Sequence, residues 1–193
     1  MPDIEFTLGL ARADVDIAPT RASEDSEDAT LVSAISLGDE DAFSRFHRKY
    51  APLVHGIALA KLPAGEADDV TQEVFLAAFR GIKSLRDPDA VGPWLVRLTR
   101  NHVAGFYRSR KISEELPDEI HDRHSHRHEA AEILLAIRSL PEAYSETLVL
   151  RLIEGMTGEE IATRTGLSSG SVRVNLHRGM DLLRKALGVE VKK

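Results

Sequence analysis

Three small residues set the strongest constraint on how this chain folds. Ala162, Gly166 and Val172 fall at the offsets that a helix-turn-helix demands. A small side chain at 162 lets a second helix approach the first, and glycine at 166 can adopt the left-handed turn conformation. Valine at 172 fills the space between the helices. Beyond it Val172, Leu176, Met180, Leu183 and Leu187 make one inward stripe at helical spacing. Arg173, Val174, His177 and Arg178 are then left together on the outer face, and Ser168, Ser169 and Ser171 are suited to capping and phosphate contacts. In a major groove, arginine pairs bidentately with guanine and valine touches a thymine methyl.

Helical periodicity extends over most of the remaining chain. Between Thr30 and Lys111, Asp39 is placed to cap a segment carrying Ala42, Phe43, Phe46, Tyr50, Leu53, Val54 and Ile57, with Pro52 as a kink position. Leu62-Pro63-Ala64-Gly65 breaks that segment. Val70, Val74, Ala78 and Ile82 then recur at four-residue steps, with Phe75 and Phe79 on an adjoining stripe, and Pro93 is placed to start the next helix. Further on, Ile133, Leu134, Ile137 and Leu140 form one stripe and Tyr144, Leu148 and Leu152 another, before two short helices around Gly166 and a last one to about Leu187. The expected class is all-α: two small helical bundles joined by a flexible linker, the C-terminal one containing the helix-turn-helix. The expected boundaries are an acidic, disordered tail at 1–29, a helical domain at 30–111, a His-rich linker at 112–128 and a second domain at 129–193.

Composition narrows function. There are no cysteines, which excludes disulfide scaffolds, thiolate metal sites and cysteine nucleophiles. No apolar run is long enough to span a membrane, the acidic N-terminus does not resemble a signal peptide, and a cytoplasmic location is expected. The net charge of −6 resides entirely in residues 1–28, leaving the remainder balanced. Within that remainder, residues 97–111 hold Arg97, Arg100, Arg108, Arg110 and Lys111 with no acid. Such segregation permits a local nucleic-acid contact despite an acidic total. Basic residues interleaved with Trp94, Phe106 and Tyr107 suit single-stranded DNA, although Trp94 and Phe106 taken singly fit core positions better. Upstream, Asp68, Asp69, Gln72 and Glu73 form a polar helix face, better suited to a protein partner than to a metal, because no histidine accompanies the acids.

Four segments, "DDVTQEVFLAAF" at 68–79, "WLVRLTRNHVAGFYRSRK" at 94–111, "LPEAYSETLVLRLIEGMTGEEIA" at 140–162 and "GSVRVNLHRG" at 170–179, resemble in order and separation the bacterial RNA polymerase sigma factors of the extracytoplasmic-function (ECF) group, the smallest sigma-70 relatives. The resemblance spans roughly residues 30–187. It implies that Asp69, Gln72, Glu73 and Phe75 dock on core RNA polymerase. It implies that Trp94, Arg97, Arg100, Asn101, Tyr107, Arg108 and Lys111 open and read a −10 element. Ser169, Ser171, Arg173, Val174, His177 and Arg178 would read a −35 element. Core polymerase, promoter DNA and an anti-sigma factor are the implied partners, with no cofactor, no metal, no enzymatic activity and no membrane insertion. Three features depart from the family pattern: Gly105 where Asp is usual, Val174 and Asn175 where Ser and Arg are usual, and a longer acidic tail.

Two other readings compete. A helix-turn-helix regulator acting alone would need no polymerase-docking helix. A metal sensor would use His121, Asp122, His124, His126 and His128, but a linker fixes no ligand geometry.

Overall fold

The computed structural model describes residues 21–112 and 125–188. Its eight helices are α1 (Arg21–Ser36), α2 (Glu40–Leu59), α3 (Ala64–Gly81), α4 (Val91–Ile112), α5 (Ser125–Arg138), α6 (Glu142–Leu152), α7 (Gly158–Thr165) and α8 (Ser169–Ala186), with two 3-10 turns between α3 and α4. No strand occurs among the described residues.

Helices α1–α4 form the first bundle. Asp39 caps α2 as its position predicts, its carboxylate accepting from the Ala42 amide at 2.9 Å. The helix then continues unbroken through Pro52. Phe46, Leu53 and Ile57 project from it into the interior and meet Ile82 and Leu95, all of them buried. Each such side chain contributes about 1.5–3 kcal/mol relative to exposure, so this stripe fixes the bundle. Helix α4 begins at Val91, two residues ahead of Pro93, which therefore lies within its first turn.

The tail boundary moves. Helix α1 starts at Arg21, and acids expected to be solvated serve a structural role. Tyr50 donates to the Asp28 carboxylate at 2.6 Å, and Lys49 pairs with Asp28 at 2.9 Å and Glu27 at 2.8 Å. Burial opposes the Lys49 charge, but these carboxylates outweigh it and raise its pKa. Residues 1–20 lie outside the described part, as does most of the expected linker. The linker boundary also shifts, because His126 and His128 fall on the first turn of α5 while His121, Asp122 and His124 lie outside the described residues.

Helices α5–α8 form the second bundle. One short helix, α7, precedes Gly166, and the long α8 follows it directly, so the second short helix expected there is absent. Val172 and Leu183 are buried, Leu176 and Met180 are packed against the core, and Leu187 is exposed. The inward stripe therefore ends a turn early. Ile133 and Leu152 likewise face outward. In place of a side chain, Gly179 lets Leu148 and Tyr144 of α6 close on α8, where an added Cβ would meet Leu148 at 3.1 Å.

The two bundles pack against each other. Their buried side chains form one continuous core, in which Leu150 of α6 reaches Gly56 of α2 so closely that a Cβ there would meet Leu150 Cδ2 at 2.7 Å.

Candidate nucleic-acid and polymerase interfaces

The helix-turn-helix is built as its spacing requires. Thr157 and Glu160 close a reciprocal capping box on α7, with the Thr157 amide donating to Glu160 Oε2 at 2.8 Å and the Glu160 amide donating to Thr157 Oγ1 at 3.2 Å. Burial alone would raise the Glu160 pKa. The hydrogen bonds from Thr157 and the nearby Arg164 and Arg151 outweigh it and hold the carboxyl below its ordinary range. Gly166 ends α7 with φ +76°, and Ala162 and Val172 are buried between α7 and α8.

Ser168 caps α8, accepting from the Ser171 amide at 3.1 Å. Ser169, Ser171, Arg173, Val174, His177 and Arg178 are all exposed along the first turns of that helix. They are brought together on one accessible face at a helix N-terminus, where backbone amides favour a phosphate. Asn175 turns the other way, its amide 3.5 Å from Thr147 Oγ1 on α6. The position where the family usually carries arginine is here committed to packing.

On α3, Asp69, Gln72 and Glu73 are exposed side by side. Phe75 departs from the expectation. It is 4% exposed, packed edge-on against Phe46 at 6.3 Å between ring centroids and against His47 at 4.2 Å. It anchors α3 and presents nothing to a partner. The apolar side chains that α3 does present are Leu76 (58% exposed) and Phe79 (46%), which the sequence left undistinguished from the core.

Helix α4 carries the expected −10 residues, at positions 94, 97, 100, 101, 107, 108 and 111, along one side, as about 3.6 residues per turn requires. Arg97, Arg100, Asn101, Tyr107 and Arg108 are exposed, whereas Trp94 is half-buried over Gly81. The side chain of Lys111 lies outside the described residues. An open cleft of about 330 Å³ runs between α3 and α4, lined by Glu73, Leu98, Asn101, His102, Gly105, Phe106 and Ser109. Gly105 lies on the wall of this cleft, where an added Cβ would meet only the Arg108 guanidinium, at 3.8 Å. His102 approaches Glu73 across it, at 3.4 Å.

Arg100 reaches the second bundle, and Tyr107 bonds beside it within the first. Arg100 makes a two-pronged contact with Glu146 of α6, Nε to Oε1 at 3.1 Å and Nη2 to Oε2 at 2.5 Å, and lies 3.3 Å from Glu142. Lys61 pairs with Glu142 at 2.8 Å, and Tyr107 donates to the Lys61 carbonyl at 2.5 Å. The hydrogen bond to Glu146 raises the Arg100 pKa, whereas burial holds the Glu146 carboxyl above its ordinary range despite that arginine. The Lys61 hydrogen bond depresses Glu142. Elsewhere across the boundary, His55 Nδ1 lies 2.6 Å from Glu154, and Arg138 donates to the Leu59 and Leu62 carbonyls at the end of α2. Sequence reasoning missed Glu142, Glu146, Glu154 and Arg138. The one local signal was the spacing of four between Glu142 and Glu146.

The sigma-70 region 2 model matches residues 46–112, and the sigma-70 region 4 model matches residues 130–183. The RNA polymerase sigma factor SigZ of Bacillus subtilis is 32% identical over 154 residues, covering 77% of this chain and 86% of that protein. The chain belongs to the sigma-70 family. The ECF RNA polymerase sigma-E factor of Escherichia coli is 26% identical over 180 residues, covering 83% of this chain and 94% of that protein. Among solved structures, CnrH in complex with the cytosolic domain of CnrY superposes with a TM-score of 0.60 at 26% identity, covering 86% of this chain and 99% of that one. Region 2 thus coincides with α2–α4 and region 4 with α5–α8. No described helix is long and apolar enough to cross a membrane.

Proposed function

We propose that this chain is an ECF sigma factor that carries core RNA polymerase to one class of promoters through three surfaces. The face of α3 around Asp69, Gln72 and Glu73, completed by Leu76 and Phe79, docks on the polymerase. The exposed side of α4 reads the −10 element: Arg97, Arg108 and Lys111 follow the phosphates, and the cleft beside Asn101 receives a base taken out of the stack. Extrusion costs a few kcal/mol, which a cleft that holds the unstacked base offsets. The first turns of α8 read the −35 element, with Arg173, Val174, His177 and Arg178 toward base edges and Ser169 and Ser171 toward phosphates.

The observation that carries this reading is the joint presence of an exposed acidic and apolar α3 face and an exposed basic α8 face in one chain. A regulator acting alone needs only the second. By likeness to CnrH, solved with the cytosolic domain of CnrY, an anti-sigma factor would be a further partner. The chain would act in the cytoplasm as a binding protein, without catalysis of its own. The test is charge reversal: Asp69→Lys with Glu73→Lys should weaken binding to core polymerase in a fluorescence titration, with helical content unchanged. Undiminished affinity would defeat the assignment of α3.

A further inference from the structure

We propose that His102, held by Glu73, decides which base the cleft between α3 and α4 accepts, and that it selects adenine or cytosine. This role deepens the function proposed above and rests on the cleft taking up an unstacked −10 base.

Asn101 belongs both to the exposed −10 side of α4 and to the cleft, so the cleft opens beside a strand lying on that helix. Leu98 and Phe106 supply an apolar wall against which a base can stack. The polar groups around it are unevenly divided between donors and acceptors. His102 is half-buried on the wall, and its Nδ1 lies 3.4 Å from Glu73 Oε2. An ionised carboxylate only accepts hydrogen bonds, so the ring nitrogen turned to it carries the proton. In the neutral ring Nε2 is then left as an acceptor, and it has no partner among the described residues. Ser109 lines the same cleft and donates its proton to the Phe106 carbonyl at 2.9 Å, so its oxygen also offers only lone pairs. Asn101 can donate and accept, and it does not by itself decide between bases.

A base taken out of the stack presents its Watson–Crick edge. Adenine and cytosine carry an exocyclic amino group where guanine and thymine carry a carbonyl oxygen. The amino group can donate to His102 Nε2. A carbonyl oxygen in its place would face the lone pair of that nitrogen, leaving both unpaired. Desolvating polar groups without pairing them is costly, so the cleft selects chiefly by rejecting guanine and thymine.

The probe is a promoter fragment that the full chain and core polymerase transcribe, carrying each base in turn at every −10 position. Open complexes that survive a polyanion challenge are counted by sequencing. With the natural chain, one −10 position should favour adenine or cytosine over guanine and thymine by about fivefold or more. His102→Ala should level the bases at that position and leave the others as they were; His102→Leu takes its place if helical content falls. His102→Gln should keep the preference, because its amide can donate to Glu73 and present its carbonyl oxygen to the base. Glu73→Gln should narrow it, since an amide no longer dictates which ring nitrogen carries the proton. The ratio is read within the complexes formed, so weakened docking does not enter it. A preference unchanged in His102→Ala, lost equally in His102→Gln, or eroded evenly across the −10 element would overturn the assignment. Melting without base preference in the natural chain would defeat the reading of the cleft itself, and the absence of any transcribed fragment would defeat the function beneath it.

Discussion

Replacing Phe75 by alanine separates the two faces of α3 more sharply than any charge change. The ring is 4% exposed and wedged between Phe46 and His47, and both of those belong to α2. Truncation removes the aromatic contacts and leaves a hole that helices α2 and α3 can only partly close. The expected loss is about 3–5 kcal/mol, set by transfer of the ring and the residual cavity together. Against a total stability of roughly 5–15 kcal/mol, that loss is a large fraction, read as a clear fall in the urea midpoint. Leu76, one residue on, is 58% exposed, and its truncation should change stability by less than about 0.5 kcal/mol. If α3 docks on polymerase, Leu76→Ala should instead cost more than about 1 kcal/mol of binding, roughly fivefold in Kd. The assay pairs urea unfolding of each variant with titration of core polymerase. Phe75→Ala keeping its stability while losing polymerase affinity, with Leu76→Ala silent in both, would refute the orientation assigned to α3.

Three further outcomes follow from the second bundle. Arg173→Ala should cost about 1–3 kcal/mol at one −35 base pair and little elsewhere, measured by binding across single-base variants; a uniform loss would make it a phosphate contact. Gly166→Ala places a side chain at φ +76° and should cost roughly 1–2 kcal/mol, a drop in Tm of about 3–6 °C, read by thermal unfolding. Glu160 has its folded pKa depressed, so its contribution is present above the ordinary carboxylate pKa and disappears as pH falls through the folded value. Glu160→Gln should therefore melt below the natural chain at about pH 7, with the difference shrinking as pH falls below the ordinary carboxylate range, whereas a constant difference would locate the effect outside ionisation.

Local relations were legible in the sequence. The Asp39 cap, the Gly166 turn and the Val172 plug each depend on residues within one or two turns of one another, and spacing alone reveals them. On α3 the sequence offered two apolar stripes, 70/74/78/82 and 75/79. Phe75 and Phe79 share a stripe, yet the first is sunk beneath Phe46 and the second stays half outside against Phe43, at 4.9 Å between centroids. Periodicity cannot resolve that difference, because it depends on where α2 crosses. Asp28 looked like one more acid in an acidic tail, and its partners Lys49 and Tyr50 stand more than twenty residues away. The Arg100–Glu146 pair spans 46 residues and two bundles. Charge patterning showed Arg100 as a free cation on a basic helix. Only the fold brings α6 across it.

The central claim is that this chain turns core polymerase into a promoter-specific enzyme. Run-off transcription with core polymerase on a library of genomic promoter fragments tests it most directly. The expected result is transcripts from a small set of fragments sharing paired −10 and −35 sequences, produced only when the chain is added and lost with Asp69→Lys, Glu73→Lys. Binding of the chain alone to those fragments, with no transcript dependent on it, would contradict the claim.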